Sequence, residues 1–213
     1  MPLKIDLHVH TWHSHDSTTT LNQVITYSKK RGLDGVAITD HDVATVSPRL
    51  AQKARNLIVI PGVEVTTSRG HVVALNVTKQ IPRELSPSET IEMIHETGGI
   101  AVAAHPTVFY RGLRGHVDSD FDAVEVVNAS AFPFFLSTHL SRKLAARLCL
   151  PQTAGSDAHY AAEIGFAYTI VDAEPDVDEI VHAITKGETI PYGRPIPWRL
   201  RFKRMCVHTQ KIV

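Results

Sequence analysis

Several things are scarce in this sequence, and each scarcity excludes a class of protein. There are two cysteines, Cys149 and Cys206, far apart and in no CxxC pair. That excludes a disulfide framework and a thiolate metal site, and a reducing cytoplasm is the expected compartment. Neither sign of charge is in excess, since Lys+Arg and Asp+Glu both total 22. No global field draws nucleic acid or an anionic membrane, and any attraction for phosphate must be local. No apolar run approaches the roughly 18 residues of a membrane helix, and the opening LKIDLHVH reads as a strand, not as a signal peptide. A soluble chain without a membrane partner is expected. Linker-like stretches are missing too, so 213 residues of 43% hydrophobic content read as one domain, 1–213, with a sizeable core.

Histidine, at 13 residues, is the abundant type. With so little cysteine, it points to a site built from imidazole and carboxylate.

Along the chain, residues 3–9 alternate around Leu3, Ile5, Leu7 and Val9 and read as a strand. A helix follows, with Thr20 as N-cap, Leu21, Val24, Ile25 and Ser28 on one face, and Gly32 at the left-handed C-cap. DGVAITDHD, NLIVIPGVEV and GHVVALNV read as strands, with a helix over 48–55 between the first two. Ser86-Pro87-Ser88-Glu89 is a capping box that opens a helix running to Gly98-Gly99. IAVAAHP is a strand, 107–120 a loop, AVEVVN a strand, and 136–148 a helix. QTAGSDAH and AYTIVD follow as strands, then a helix over 176–186 closed by Gly187; the proline-punctuated tail has no legible element. Alternation of this kind predicts an α/β fold with a mainly parallel sheet.

Polar residues cluster at the C-terminal ends of the predicted strands: His8/His10, Asp40/His41, Glu64, His105, Asn128 and Asp157/His159. Only a barrel or a strongly curved sheet gathers so many strand ends around one centre. His8 and His10 are two apart in a strand, so their imidazoles share a face and can bind one ion. Charged groups that follow apolar runs need partners or metal.

DLHVHTWHSHDS, TDH, GVE, AHP and GSDAH occur here in an order that resembles the polymerase and histidinol phosphatase, or PHP, family, over roughly residues 5 to 160. The resemblance implies a distorted seven-stranded (β/α)7 barrel, TIM-like in kind, and up to three divalent ions: zinc, manganese or iron. By position, His8, His10, Glu64 and Asp157 would hold the first ion, Glu64 bridging to a second completed by His71 and His105. Asp16, His41 and His159 would hold the third, with His15 as an alternative to Asp16. Glu64, Asp157 and His159 would stand closest to the chemistry.

Imidazole and carboxylate without thiolate suit two to three ions of this kind, and a carboxylate bridge matches the roughly 3.5–4 Å separation used in two-metal hydrolysis. The function expected is therefore hydrolysis of a small phosphorylated metabolite or nucleotide by a metal-bridging hydroxide. Arg111 and Arg114 on the 107–120 loop are candidates for gripping phosphate, Asn128 for lining the pocket, and Asp40 for orienting a ligand imidazole. His13 or His15 could protonate the leaving group. The remaining histidines, His95, His139, His182 and His208, read as surface or packed residues. Two competing functions are 3′–5′ exonuclease-like processing of nucleic acid and a non-catalytic, metal-stabilised regulatory module. Against the first, no helix-hairpin-helix pattern or basic–aromatic stripe is legible, and no nucleic-acid partner is expected.

Overall fold

The computed structural model describes residues 1–46 and 56–211, the side chains of Arg114 and 208–211 excepted. The helix expected over 48–55 lies outside the described residues. Nine strands of the described residues, β1 (Leu3–Val9), β2 (Gly35–Ile38), β3 (Ile58–Thr67), β4 (Gly70–Leu75), β5 (Ile100–Ala103), β6 (Ala123–Asn128), β7 (Gln152–Gly155), β8 (Ala167–Val171) and β9 (Thr189–Gly193), form one sheet in the order β7-β6-β5-β4-β3-β2-β1-β8-β9.

The expectation of a mainly parallel sheet needs correction. Four pairings are parallel (β1–β2, β2–β3, β5–β6, β6–β7) and four antiparallel (β3–β4, β4–β5, β1–β8, β8–β9). Only Ser68 and Arg69 separate β3 from β4, and a parallel crossover needs about a dozen residues or more. That hairpin reverses β4 and forces antiparallel pairing on both of its edges.

The sheet curls until β7 meets β1 and β8, giving a distorted α/β barrel. Across the seam the Asp157 N–H donates to the His8 carbonyl at 2.9 Å, the Ser156 N–H to Asp6 Oδ1 at 2.8 Å, and the Ala154 N–H to Thr169 Oγ1 at 2.8 Å. Strands β1–β7 are the seven staves, and the β8–β9 ribbon lies along β7, where Thr189 Oγ1 donates to the Gln152 carbonyl at 2.8 Å. Gly155 permits the closure, because a Cβ there would stand 2.4 Å from His8 Cβ.

Helix α1 (Leu21–Arg31) starts at Thr20, whose hydroxyl accepts the Gln23 N–H in a reciprocal capping box, and ends at Gly32 with φ +66°. Helix α2 (Pro87–Glu96) has the matching box between Ser86 and Glu89. Helix α3 (Phe134–Leu148) begins two residues before the expected start, and α4 (Val177–Lys186) is capped by Asp176. Ile180, Val181 and Ile184 of α4 pack into one apolar cluster with Ile5, Leu7 and Ile100. No helix of the described residues is long and apolar enough to cross a membrane.

The tail, unassigned from sequence, forms β9 and a helix α5 (Trp198–Lys211). Its pattern is inverted relative to an ordinary surface helix: Trp198, Phe202 and Met205 are exposed, while Leu200, Arg201, Arg204 and Val207 are partly buried. Arg201 docks the helix by donating to the carbonyls of Ile196, Ala129 and Ser130 at 3.0–3.2 Å. Backbone acceptors thus stand in for an apolar stripe, and hydrophobic periodicity has nothing to register.

Candidate metal centre

Strand β1 is buried over its last five positions, and its alternation sends His8 and His10 to one face. Their Nε2 atoms lie 3.1 Å apart. Both face Glu64 Oε2, at 3.2 and 3.1 Å, and Asp157 Oδ1, at 3.7 and 3.4 Å. One donor atom from each of His8, His10, Glu64 and Asp157 lies within 4.8 Å of the others. This is the grouping expected for the first ion.

Glu64 lies within β3, not at its end, because β3 continues past the barrel rim into the hairpin with β4. The hairpin register pairs Thr66 with His71, which brings His71 Nδ1 to 2.8 Å from Glu64 Oε1, while His105 Nε2 is 3.0 Å from the same oxygen. His71 and His105 thus meet Glu64 on the oxygen opposite the one that faces β1. His41 is gathered with Glu64 and His71, and also with His10 and His159. Asp16 Oδ2 stands 3.1 Å from His159 Nε2 and 3.7 Å from His41 Nε2. His15 is exposed and only its ring approaches His41, with centroids 5.5 Å apart, so Asp16 is the residue aimed into the cluster.

These donors fit metal ions on three counts. Glu64 Oε2 has three imidazole nitrogens within 3.3 Å, those of His8, His10 and His41, yet no hydrogen bond. Buried polar atoms normally find partners, and donor atoms crowd in this way when they share a cation. His159 Nε2 and Asp16 Oδ1 are likewise buried without a hydrogen bond. Protons compensate for the charge when no cation does. Burial alone would raise the Glu64 carboxyl, but the surrounding imidazoles outweigh it and hold it well below the usual range. Burial alone would depress His8, but the charges of Glu64, Glu125 and Asp157 raise it well above the ordinary imidazole value. His41 follows its burial and falls to about 4, so its ring is neutral, the form that ligates.

A further layer of buried groups orients the ligands. Glu125 Oε1 is 3.0 Å from His8 Nδ1, while its Oε2 accepts the His105 N–H at 2.8 Å and the Asn128 amide at 2.9 Å. A carboxylate on Nδ1 fixes the tautomer that points the Nε2 lone pair into the cluster. Asp40 was expected to orient an imidazole directly. Instead it acts one step removed, because Ser14 Oγ sits between Asp40 Oδ1 at 3.0 Å and His10 Nδ1 at 3.1 Å. Asn128 lines the cleft, its amide also donating to Asp157 Oδ2 at 3.3 Å. His105 and Asp157 have φ of +30° and +52°, strained for residues with a Cβ. The Glu125 carboxylate and the His8 carbonyl, accepting their N–H groups, hold them there.

The cluster opens into a cleft of about 290 Å³ lined by Asp16, His105, Asp157 and His159 on one side and by Arg111, Arg201 and Arg204 among others. Arg111 thus lines the cleft, whereas the Arg114 side chain lies outside the described residues. His13 and His15 line a neighbouring groove with His41 and Asp42, not this cleft. Sequence reasoning missed Glu125, Arg201 and Arg204. Glu125 had a readable signal, as the lone charge in the apolar run AVEVV; the two arginines had none.

Comparison with known proteins agrees with this geometry. A PHP-domain model matches residues 6–131 and a PHP-associated model residues 137–189. An uncharacterised Methanocaldococcus jannaschii protein is 37% identical over 141 residues, covering 60% of this chain and 82% of its own. A two-domain Bacteroides vulgatus protein containing a predicted PHP-like metal-dependent phosphoesterase superposes with a TM-score of 0.74 at 18% identity, over 91% of this chain and 65% of that one. A lesion-specific endonuclease from Pyrococcus furiosus does so with a TM-score of 0.65 at 17% identity, over 91% of this chain and 59% of that one. The chain thus spans less than two thirds of either solved structure, and at these identities the likeness is one of fold. With a family model matched over more than half of its length, a barrel-like sheet and a histidine–carboxylate cluster at the strand ends, this chain belongs to the PHP domain family.

Proposed function

We propose that the protein is a metal-dependent phosphoesterase acting on a small phosphorylated substrate. The observation that carries this reading is Glu64, a buried carboxylate with three imidazole nitrogens around one oxygen and two around the other. His8, His10, Glu64 and Asp157 would hold one ion, Glu64, His71 and His105 a second, and Asp16, His41 and His159 a third, of zinc, manganese or iron. Divalent ions in such a site supply a Lewis acid for phosphoryl oxygens and lower the pKa of bound water. The residues of the chain do the rest. Glu125 and the Asp40–Ser14 pair hold the His8 and His10 rings in the tautomer that presents Nε2. Asp16 and His159 form the wall nearest the cleft, and Arg111 reaches it from the 107–120 loop, where its fork can meet non-bridging phosphate oxygens.

The test is metal analysis of protein purified without chelator, followed by turnover of p-nitrophenyl phosphate by the manganese-loaded form. More than one equivalent per chain and metal-dependent turnover are expected; less than one equivalent after reconstitution refutes the site. Arg111→Ala/Arg114→Ala should cost roughly 2–4 kcal/mol in kcat/KM with metal content unchanged, against under about 0.5 kcal/mol if both are solvated loop residues.

A second reading has one observation in its favour. The outward face of α5 interleaves Trp198 and Phe202 with Arg199 and Lys203, all exposed, a basic–aromatic stripe of the kind that tracks single-stranded nucleic acid. Cleavage of a single-stranded oligonucleotide in preference to p-nitrophenyl phosphate would favour it.

A further inference from the structure

We propose that Arg204 is the principal anion-binding residue of the α5 side of the cleft, and that Glu163, buried beneath the metal cluster, is the positioning residue that aims it. The inference rests on the phosphoesterase reading and concerns a part of the chain that reading does not use. Glu163 ends the short 3-10 turn Ala161–Glu163, and its side chain is fully buried. Its Oε2 accepts the His159 N–H at 3.1 Å, the Tyr160 N–H at 3.2 Å and Arg204 Nη1 at 3.4 Å, while its Oε1 has no hydrogen-bond partner. One oxygen therefore joins the backbone of a candidate metal ligand to a guanidinium on the C-terminal helix. Burial raises the Glu163 carboxyl, with Arg204 the largest influence opposing it.

The two cleft-lining arginines of α5 are not equivalent. Arg201 spends its guanidinium on the carbonyls of Ile196, Ala129 and Ser130 and serves as the docking pin of the helix. Among the described residues Arg204 is committed through Nη1 alone, to Glu163 Oε2 and Ser130 Oγ at 3.4 Å each, and is one-quarter exposed in the cleft. The remaining edge of its fork is available for a planar, two-point contact with a phosphoryl group. Fixing an arginine before substrate arrives removes most of the ordering cost of that contact, so the pair acts by pre-organisation. Glu163 also anchors the His159 amide, which sets the distance between the arginine and the metal cluster from a single atom.

Glu163→Gln separates these roles, because the amide oxygen can still accept the His159 and Tyr160 N–H groups while the ion pair to Arg204 is lost. Affinity for inorganic phosphate, measured calorimetrically on the manganese-loaded protein, should fall about tenfold or more in Arg204→Ala and several-fold in Glu163→Gln, with metal content unchanged in both. The double variant should bind no more weakly than Arg204→Ala alone, since Glu163 acts through Arg204. Arg204→Lys, which keeps the charge but not the fork, should restore less than half of the loss. With p-nitrophenyl phosphate the same variants should raise KM more than they lower kcat. Phosphate binding by Arg204→Ala within twofold of wild type overturns the proposal. So does tighter binding by Glu163→Gln, which would mean that Glu163 only neutralises the arginine, and so do effects that multiply in the double variant. If wild-type protein binds phosphate but turns over no phosphoester, the phosphoesterase reading fails while the phosphate-affinity comparison still decides the role of Arg204.

Discussion

Glu125→Gln tests whether the buried carboxylate on β6 controls metal affinity through the tautomer of His8. Glu125 Oε2 receives two donors, the His105 N–H at 2.8 Å and the Asn128 amide at 2.9 Å, and Oε1 faces His8 Nδ1 at 3.0 Å. A backbone N–H cannot be inverted, and Asn128 is held by the Ser130 N–H on its own oxygen at 2.9 Å. The glutamine oxygen must therefore occupy the Oε2 position, which places its NH2 against His8 Nδ1. Two donors cannot face each other, so His8 shifts its proton to Nε2, the nitrogen that points at Glu64 and Asp157. A protonated Nε2 cannot ligate. Loss of such an orienting carboxylate costs about 10–100-fold in metal affinity, or about 1.4–2.7 kcal/mol. The shape of the side chain hardly changes, so packing is kept, and what the metal-free protein loses is the Glu125 charge beside His8. Competition against a fluorescent chelator gives the affinity, and calorimetric unfolding of the chelated protein gives the control. Manganese affinity within twofold of wild type would refute the tautomer argument.

Other expected outcomes follow from the same geometry. Glu64→Gln should leave the chain folded and reduce kcat by more than about tenfold, or about 1.4 kcal/mol; a larger surviving kcat would sink the bridging role. In the metal-free protein burial depresses His10, but Asp157 and Glu64 outweigh it and raise the imidazole from 6.5 to about 9. Its contribution to stability is thus fully present below pH about 6.5 and is lost as pH rises through about 9. Unfolding temperature of chelated protein should fall across that window, and a flat profile matching the metal-loaded form would contradict it. Gly155→Ala places a Cβ 2.4 Å from His8 Cβ and 2.8 Å from Glu125 Oε1, and such overpacking costs about 1–3 kcal/mol. Differential scanning calorimetry should show a drop of about 2–4 °C per kcal/mol, and an unchanged midpoint would mean that the seam can open.

What the sequence determined by itself was local. Thr20 and Gly32 bound α1 and Ser86-Pro87-Ser88-Glu89 starts α2 because capping hydrogen bonds form between residues three or four apart. The placement of His8/His10, His41, His105 and Asp157/His159 where strands give out was legible because strand alternation is local too, and from it the curvature of the sheet followed. Tertiary structure decided the rest. Which imidazole meets which oxygen of Glu64 depends on the β3–β4 register and on the closure of β7 against β1, pairings between segments as far apart as His8 and Asp157. The two antiparallel pairings of β4 came from a two-residue connection that could be recognised only once both strand ends were known, and those of β8 from its pairing with β1, a partner more than 150 residues away. Helix α5 escaped because it is docked by an arginine donating to backbone carbonyls, and a backbone acceptor 70 or so residues away leaves no mark on side-chain periodicity. Arg204 and Glu163, separated by 41 residues, become partners only when that helix is laid across the cleft.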